Sequence, residues 1–221
     1  MRGSVELYCR QERQRLRRAV EDAHRLLEHF HNRERNGELS RAAAQRLAAE
    51  LIRITRYASE ITAWIYLFVV ASDGGKTGPA LLVHPYEEEG EVLVGNGYLA
   101  ELVSGLATVA RSAPCGYVLY YWLRYGHGVV EPKLAYYRVF QPWGWAVASS
   151  CYVTDVLRVA GFDGCPAELL PVIKSCVMLE VLPRCACGAE IRPCCDEQDC
   201  ILCPRCGATY QLRALRAASR R

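Results

Sequence analysis

Seven of the twelve cysteines fall between Cys185 and Cys206, and thiols at that density carry a definite chemistry. Cys185-x-Cys187-Gly188 and Cys203-Pro204-Arg205-Cys206-Gly207 are two short knuckles bracketing fifteen residues. Two thiolate pairs on tight turns, with glycine letting backbone N–H groups approach sulfur, make a tetrahedral four-sulfur site for which zinc is the default metal. The expected ligands are therefore Cys185, Cys187, Cys203 and Cys206, in a zinc ribbon. Four thiolates close the coordination shell and leave no position for water, so the zinc is expected to be structural rather than catalytic. A module this small folds only with its metal. The second knuckle is regular, the first has a single intervening residue, and Cys194, Cys195 and Cys200 are surplus. One of these could substitute for Cys185 or bridge across the hairpin, and an iron–sulfur cluster is the other chemistry such crowded thiols admit.

No other constellation offers a reaction. There is no nucleophile beside a base, no phosphate-cradling glycine loop and no carboxylate pair set for proton transfer, which argues against an enzyme. The net charge of +3 is too small to argue for nucleic acid, although 24 of the 27 basic residues are arginine and a basic tail ends the chain. Met1 leads into a polar, arginine-rich pattern with no signal-peptide hydrophobic region. The longest apolar run, Ile61 to Ala71, is about half of a bilayer span, so no membrane span is expected in this chain. Clustered thiols without a secretory signal point to metal before disulfides and to the cytoplasm.

The elements that must position any site follow from periodicity. From Val5 to Arg33, Leu16, Ala19, Ala23, Leu26, Leu27 and Phe30 recur at three- and four-residue steps, predicting a long amphipathic helix. Its stripe suits packing on a sheet and equally a homodimer. Asn36-Gly37 breaks it, and Ser40 caps a second helix whose buried stripe is expected at Ala44, Leu47, Ala48, Leu51 and Ile54. Ile61 to Val70 reads as a strand with a partner at Ala80 to His84, and Tyr98 to Arg111 as a helix crossing the sheet. From Gly116 to Tyr152, three aromatic-rich runs separated by glycine and proline predict an antiparallel meander. Short helices follow at Thr154 to Ala160 and Pro166 to Ser175. The fold class expected is α+β, a PAS-like antiparallel sheet with a long N-terminal helix, in a domain of residues 1–178 followed by a small zinc-ribbon domain at 179–221.

The segments RLLEHFHNRERNGELSRAAAQRLAAELIRITRY, AWIY, VHP, GYVLYYW and PKLAYYRVFQPWGWAVASSCYVTDV narrow the choice. Over about residues 12 to 160 they resemble, in order and rough spacing, the single Cache sensor domain of chemoreceptors and sensor histidine kinases. The resemblance implies a pocket on one face of the sheet that takes a small ligand, often a short organic acid, and passes occupancy to the long helix. It implies ligand-binding roles for Arg56, Trp64, Tyr66, His84, Tyr121 and Lys133. An aromatic pocket with one or two cationic donors suits a carboxylate, because the rings exclude water and strengthen each charged hydrogen bond. Lys133 is the sharpest of the six, since the chain has only three lysines and this one begins a strand among aromatics. The functional expectation is a soluble organic-acid sensor whose output runs through the zinc ribbon. The alternative is a zinc-ribbon regulator binding nucleic acid or protein, with the Cache-like fold as scaffold.

Overall fold

The computed structural model describes residues 2–58, 64–71, 80–84, 113–123, 130–162, 179–181, 200–202 and 209–211, with a few single positions among the rest. Helix α1 (Arg2–Arg35) runs about 51 Å at 1.5 Å per residue. Its stripe of Leu16, Ala19, Ala23, Leu27 and Phe30 is buried as the spacing predicts. Arg33 and Arg35 lie in its last turn, where positive charge offsets the helix dipole. Gly37 ends it at φ 75°, a left-handed conformation that favours glycine.

Ser40 caps helix α2 (Arg41–Ile54), its Oγ accepting from the Ala43 amide at 3.3 Å. The buried residues of α2 are Ala44, Ala48 and Ile52. Leu51 and Ile54, expected in the stripe, are exposed, Ile54 by 71%. Leu47 is partly buried against the same core, and the buried face passes through Ile52 rather than Leu51 and Ile54.

Strands β1 (Arg56–Ala58), β2 (Trp64–Ala71), β3 (Ala80–Val83), β4 (Cys115–Leu123), β5 (Val130–Phe140), β6 (Trp145–Tyr152) and β7 (Leu179–Val181) form one sheet. Among the described residues its order is β1, β2, β6, β5, β4, β7, with β3 sharing the outer edge of β2. The pairs of the meander β4–β5–β6 are antiparallel, and so is β2 with β6. A 3₁₀ turn at Gln141–Trp143 and Gly144, at φ 64°, join β5 to β6. Helix α3 (Val153–Val159) follows β6 directly.

Strand β7 lies at the start of the segment expected to hold the zinc ribbon. It pairs in parallel with β4, Val118 opposite Leu179 and Tyr120 opposite Val181, and so joins residues 179–181 to the sheet. Beyond it, β8 (Cys200–Leu202) and β9 (Thr209–Gln211) form a separate antiparallel pair. The helix expected at Tyr98 to Arg111, the turn at Asp73-Gly74-Gly75 and most of Pro166 to Ser175 lie outside the described residues.

Alternation along the strands divides the sheet into two faces. Leu119, Leu134, Tyr136, Phe140, Val147 and Cys151 share one cluster with the stripes of α1 and α2. Tyr117 ties this face to the helix, its hydroxyl donating to the Arg13 carbonyl at 2.9 Å. The opposite parity carries Val118, Tyr120, Trp122, Lys133, Ala135, Tyr137, Ala148 and Ser150, all buried and outside that cluster. A charged residue among them marks the second face as more than packing.

Candidate ligand-binding site

Strand β5 presents Lys133 on the face turned away from α1. Its register partners are Tyr120 on β4 and Tyr152 on β6. The ammonium lies 4.6 Å from the centroid of the Tyr152 ring and 5.8 Å from that of Tyr120. Lys133 is only 2% exposed. Burying an ammonium is costly, and ring faces on two sides return part of that cost, on the order of 0.5–2 kcal/mol for each cation–π contact.

Neighbouring polar groups complete a small network. The Tyr120 hydroxyl donates to Ser150 Oγ at 2.9 Å, and Tyr120 meets Trp122 edge to face at 6.2 Å between centroids. Thr154 Oγ1 donates to Glu131, two residues before Lys133 on the same strand. His84 follows the last residue of β3, one step out of phase with Val83, which packs in the α1 core. Burial pushes its imidazole pKa down to about 3, and the Lys133 charge pushes it the same way. His84 is thus a neutral ring within electrostatic reach of a buried cation.

The six expected residues are brought together unevenly. Lys133 and His84 are coupled as described. Arg56 stands opposite Tyr66, and Ala58 opposite Trp64, in the β1–β2 ladder. Tyr66 is two residues from Phe68, which faces Ala148, so the backbone puts Arg56 and Tyr66 in the parity class of Lys133. The side chains of Arg56, Trp64 and Tyr66 lie outside the described residues. Tyr121 falls on the other face: it opposes Pro132, while its neighbour Tyr120 opposes Lys133. The tyrosine beside the lysine is therefore Tyr120. Tyr152 and Ser150 join it, and both were missed in the sequence. The signal lay in the pairing register, which makes these residues cross-strand neighbours of Lys133.

What the arrangement can do follows from its groups. A buried ammonium, a neutral imidazole, and tyrosine and serine hydroxyls supply hydrogen bonds inside an aromatic surround. An anion with a planar acceptor, above all a carboxylate, is the complementary guest.

The family model for single Cache domain 2 matches residues 9–160. The chain belongs to that family. The Cache match spans α1 to the end of α3 and contains every residue of the site just described. The methyl-accepting chemotaxis protein McpP of Pseudomonas putida is 28% identical over 184 residues, covering 77% of this chain and 32% of the receptor. The chain thus spans about a third of that receptor's length. A solved structure reported as the structural basis for carboxylic acid recognition by a Cache chemosensory domain is 25% identical with a TM-score of 0.54. It covers 65% of this chain and 95% of its own. A periplasmic sensor domain of a chemotaxis protein is 33% identical at a TM-score of 0.54, covering 65% and 96%. The Cache resemblance read from the sequence is thereby borne out, with its α+β, PAS-like fold.

The cysteine module is described only at its edges. Cys185 and Cys203 lie outside the described residues, while Cys187 and Cys206 are exposed. Arg205, inside the second knuckle, donates to the Cys187 carbonyl in the first at 3.3 Å, so the two knuckles are within side-chain reach of one another. Among the described residues, no three metal-ligating side chains converge on a point. No described helix is long and apolar enough to cross a membrane.

Proposed function

We propose that this Cache domain is a sensor for a small organic acid, bound as its carboxylate at Lys133. The observation that carries this is the burial of Lys133 between the Tyr120 and Tyr152 rings, a fixed cation in an aromatic site. Arg56, in the same parity class three strands away, is the second cationic donor, with Trp64 and Tyr66 as further wall. His84, neutral because burial and Lys133 keep it so, contributes a hydrogen bond without a second charge. The solved Cache neighbour reported to recognise a carboxylic acid supports the ligand class.

The same proposal assigns the output to the C-terminal segment. Cys185, Cys187, Cys203 and Cys206 hold one structural zinc in a ribbon, and the adjacency of the two knuckles through Arg205 supports that pairing. A thiol-rich module of this kind fits a reducing compartment, the cytoplasm.

Melting the protein in a panel of short carboxylates tests the sensor reading, since a ligand bound by the native state alone raises Tm by mass action. A concentration-dependent rise is expected, absent in Lys133→Met. No stabilisation by any acid, together with duplex DNA binding of steep salt dependence, would overturn it in favour of a nucleic-acid regulator on a Cache scaffold.

A further inference from the structure

On the helix side of the sheet, a cleft of about 460 Å³ opens between α1 and the end of β5. His24, Glu28, His31 and Asn32 line it from one face of the helix, and Phe140 and Gln141 from the strand and its turn. None of these belongs to the Lys133 site.

The geometry of His24 is unusual. Its Nε2 lies 3.3 Å from the Val139 carbonyl oxygen and its Nδ1 lies 3.2 Å from Glu28 Oε1. Both oxygens can only accept, and a neutral ring has one N–H for the two, so in either tautomer one ring nitrogen is a bare lone pair beside an oxygen. Two acceptors confront one another at hydrogen-bond distance. Either a second proton on His24 or a donor-bearing guest resolves this. Burial lowers the His24 pKa and the Arg138 guanidinium on β5 lowers it further, against opposing contributions from Glu28 and Glu21 on α1. The second proton is therefore disfavoured at neutral pH.

We infer that this cleft binds a primary ammonium group, with Glu28 as counter-ion, His24 Nδ1 as second acceptor and the Asn32 and Gln141 carbonyl oxygens at the rim. A primary ammonium carries three N–H donors and matches such a set of acceptors. A metal ion is the poorer guest, since no three ligating side chains converge here. The Phe140 ring, met edge to face by both His24 and His31, gives the site an apolar floor for the alkyl part of the amine.

The test uses n-butylammonium chloride with the full chain, followed by the imidazole carbon-bound proton resonances of His24 and His31. Saturable shifts are expected at pH 8, with tetramethylammonium, which has no N–H donor, binding at least tenfold more weakly. Glu28→Gln, at a carboxylate 51% exposed, should fold normally and weaken butylammonium at least tenfold. Lowering the pH to 5 should also weaken it, because the proton then competes for Nδ1. Absence of saturable shifts overturns the inference, as does equal affinity in Glu28→Gln or equal affinity for the two cations. Should Glu28→Gln fail to fold, Gln141→Ala takes its place, with a weakening of a few-fold expected and an unchanged affinity counting against the site.

Discussion

Lys133 and Tyr152 are direct cross-strand partners on β5 and β6, and the ammonium of one lies 4.6 Å from the ring centroid of the other. Replacing the lysine tests what this pairing is for. Methionine has a similar reach and no charge, so Lys133→Met should fold with a Tm at or above that of the parent. Losing a charged hydrogen bond, about 1.5–3 kcal/mol, should weaken any carboxylate at least tenfold by calorimetry. Undiminished affinity would remove Lys133 from the site.

The two adjacent tyrosines separate by face. Tyr120→Phe deletes the hydroxyl that donates to Ser150 and should cost about 1 kcal/mol in denaturant unfolding, while altering the acid response. Tyr121→Phe should leave the acid response as it is, because Tyr121 opposes Pro132 on the other face. A response lost in Tyr121→Phe and kept in Tyr120→Phe would reverse the assignment.

His84 should titrate far below an ordinary histidine. Its pKa falls from 6.5 to about 3 in the folded state, so its contribution to stability is full above pH 6.5 and is lost as the pH falls toward 3. Its imidazole resonances should stay those of the neutral ring down to about pH 4. In Lys133→Met the pKa should rise, since one of its two depressing influences is gone. An imidazole that protonates near 6.5 in the parent would refute the coupling.

At the far corner, Trp143 Nε1 donates to Glu34 Oε2 at 2.7 Å, and His31 Nδ1 lies 3.1 Å from the same oxygen. The indole hydrogen bond is the main cause holding the Glu34 carboxyl below its usual range, with His31 adding to it. Stability from this contact is present above pH 4.5 and lost as the pH falls through the lowered pKa. Glu34→Gln should lower Tm at pH 7 and flatten its acid-side dependence; an unchanged acid limb would show that the carboxyl contributes none of it.

Zinc is the test of the cysteine module. Metal analysis should return one zinc per chain, and Cys206→Ser should abolish it while the Cache unfolding transition keeps its midpoint. A metal-free protein, or a coloured one containing iron, would overturn the ribbon.

Much of the architecture was legible because it is local. The three- and four-residue spacing of Leu16, Ala19, Ala23 and Leu27 fixes a helix and its buried stripe without reference to anything distant. Ser40 and Gly37 mark helix ends through their own backbone preferences. What escaped was set by pairing. Tyr120 and Tyr121 are equivalent in composition, and only the β4–β5 register decides which one meets Lys133. In α2, Leu51 and Ile54 are as periodic as Ala48 and Ile52, and only the packing of the helix on the rest of the fold decides which pair is buried. Leu179 to Val181 carries no strand signal of its own length, and its pairing with β4 is a long-range event.

That last strand places the chain at one edge of the sheet. The N-terminal helix lies across one face, whereas the segment leading to the cysteines leaves along the outer edge of β4, with Val181 only four residues before Cys185. At about 4.8 Å between neighbouring strands, this exit is roughly 10 Å from the strand bearing Lys133. The sheet is thus contacted from two sides, by α1 across one face and by β7 at the β4 edge, and among the described residues only β4 stands between β7 and the strand bearing Lys133.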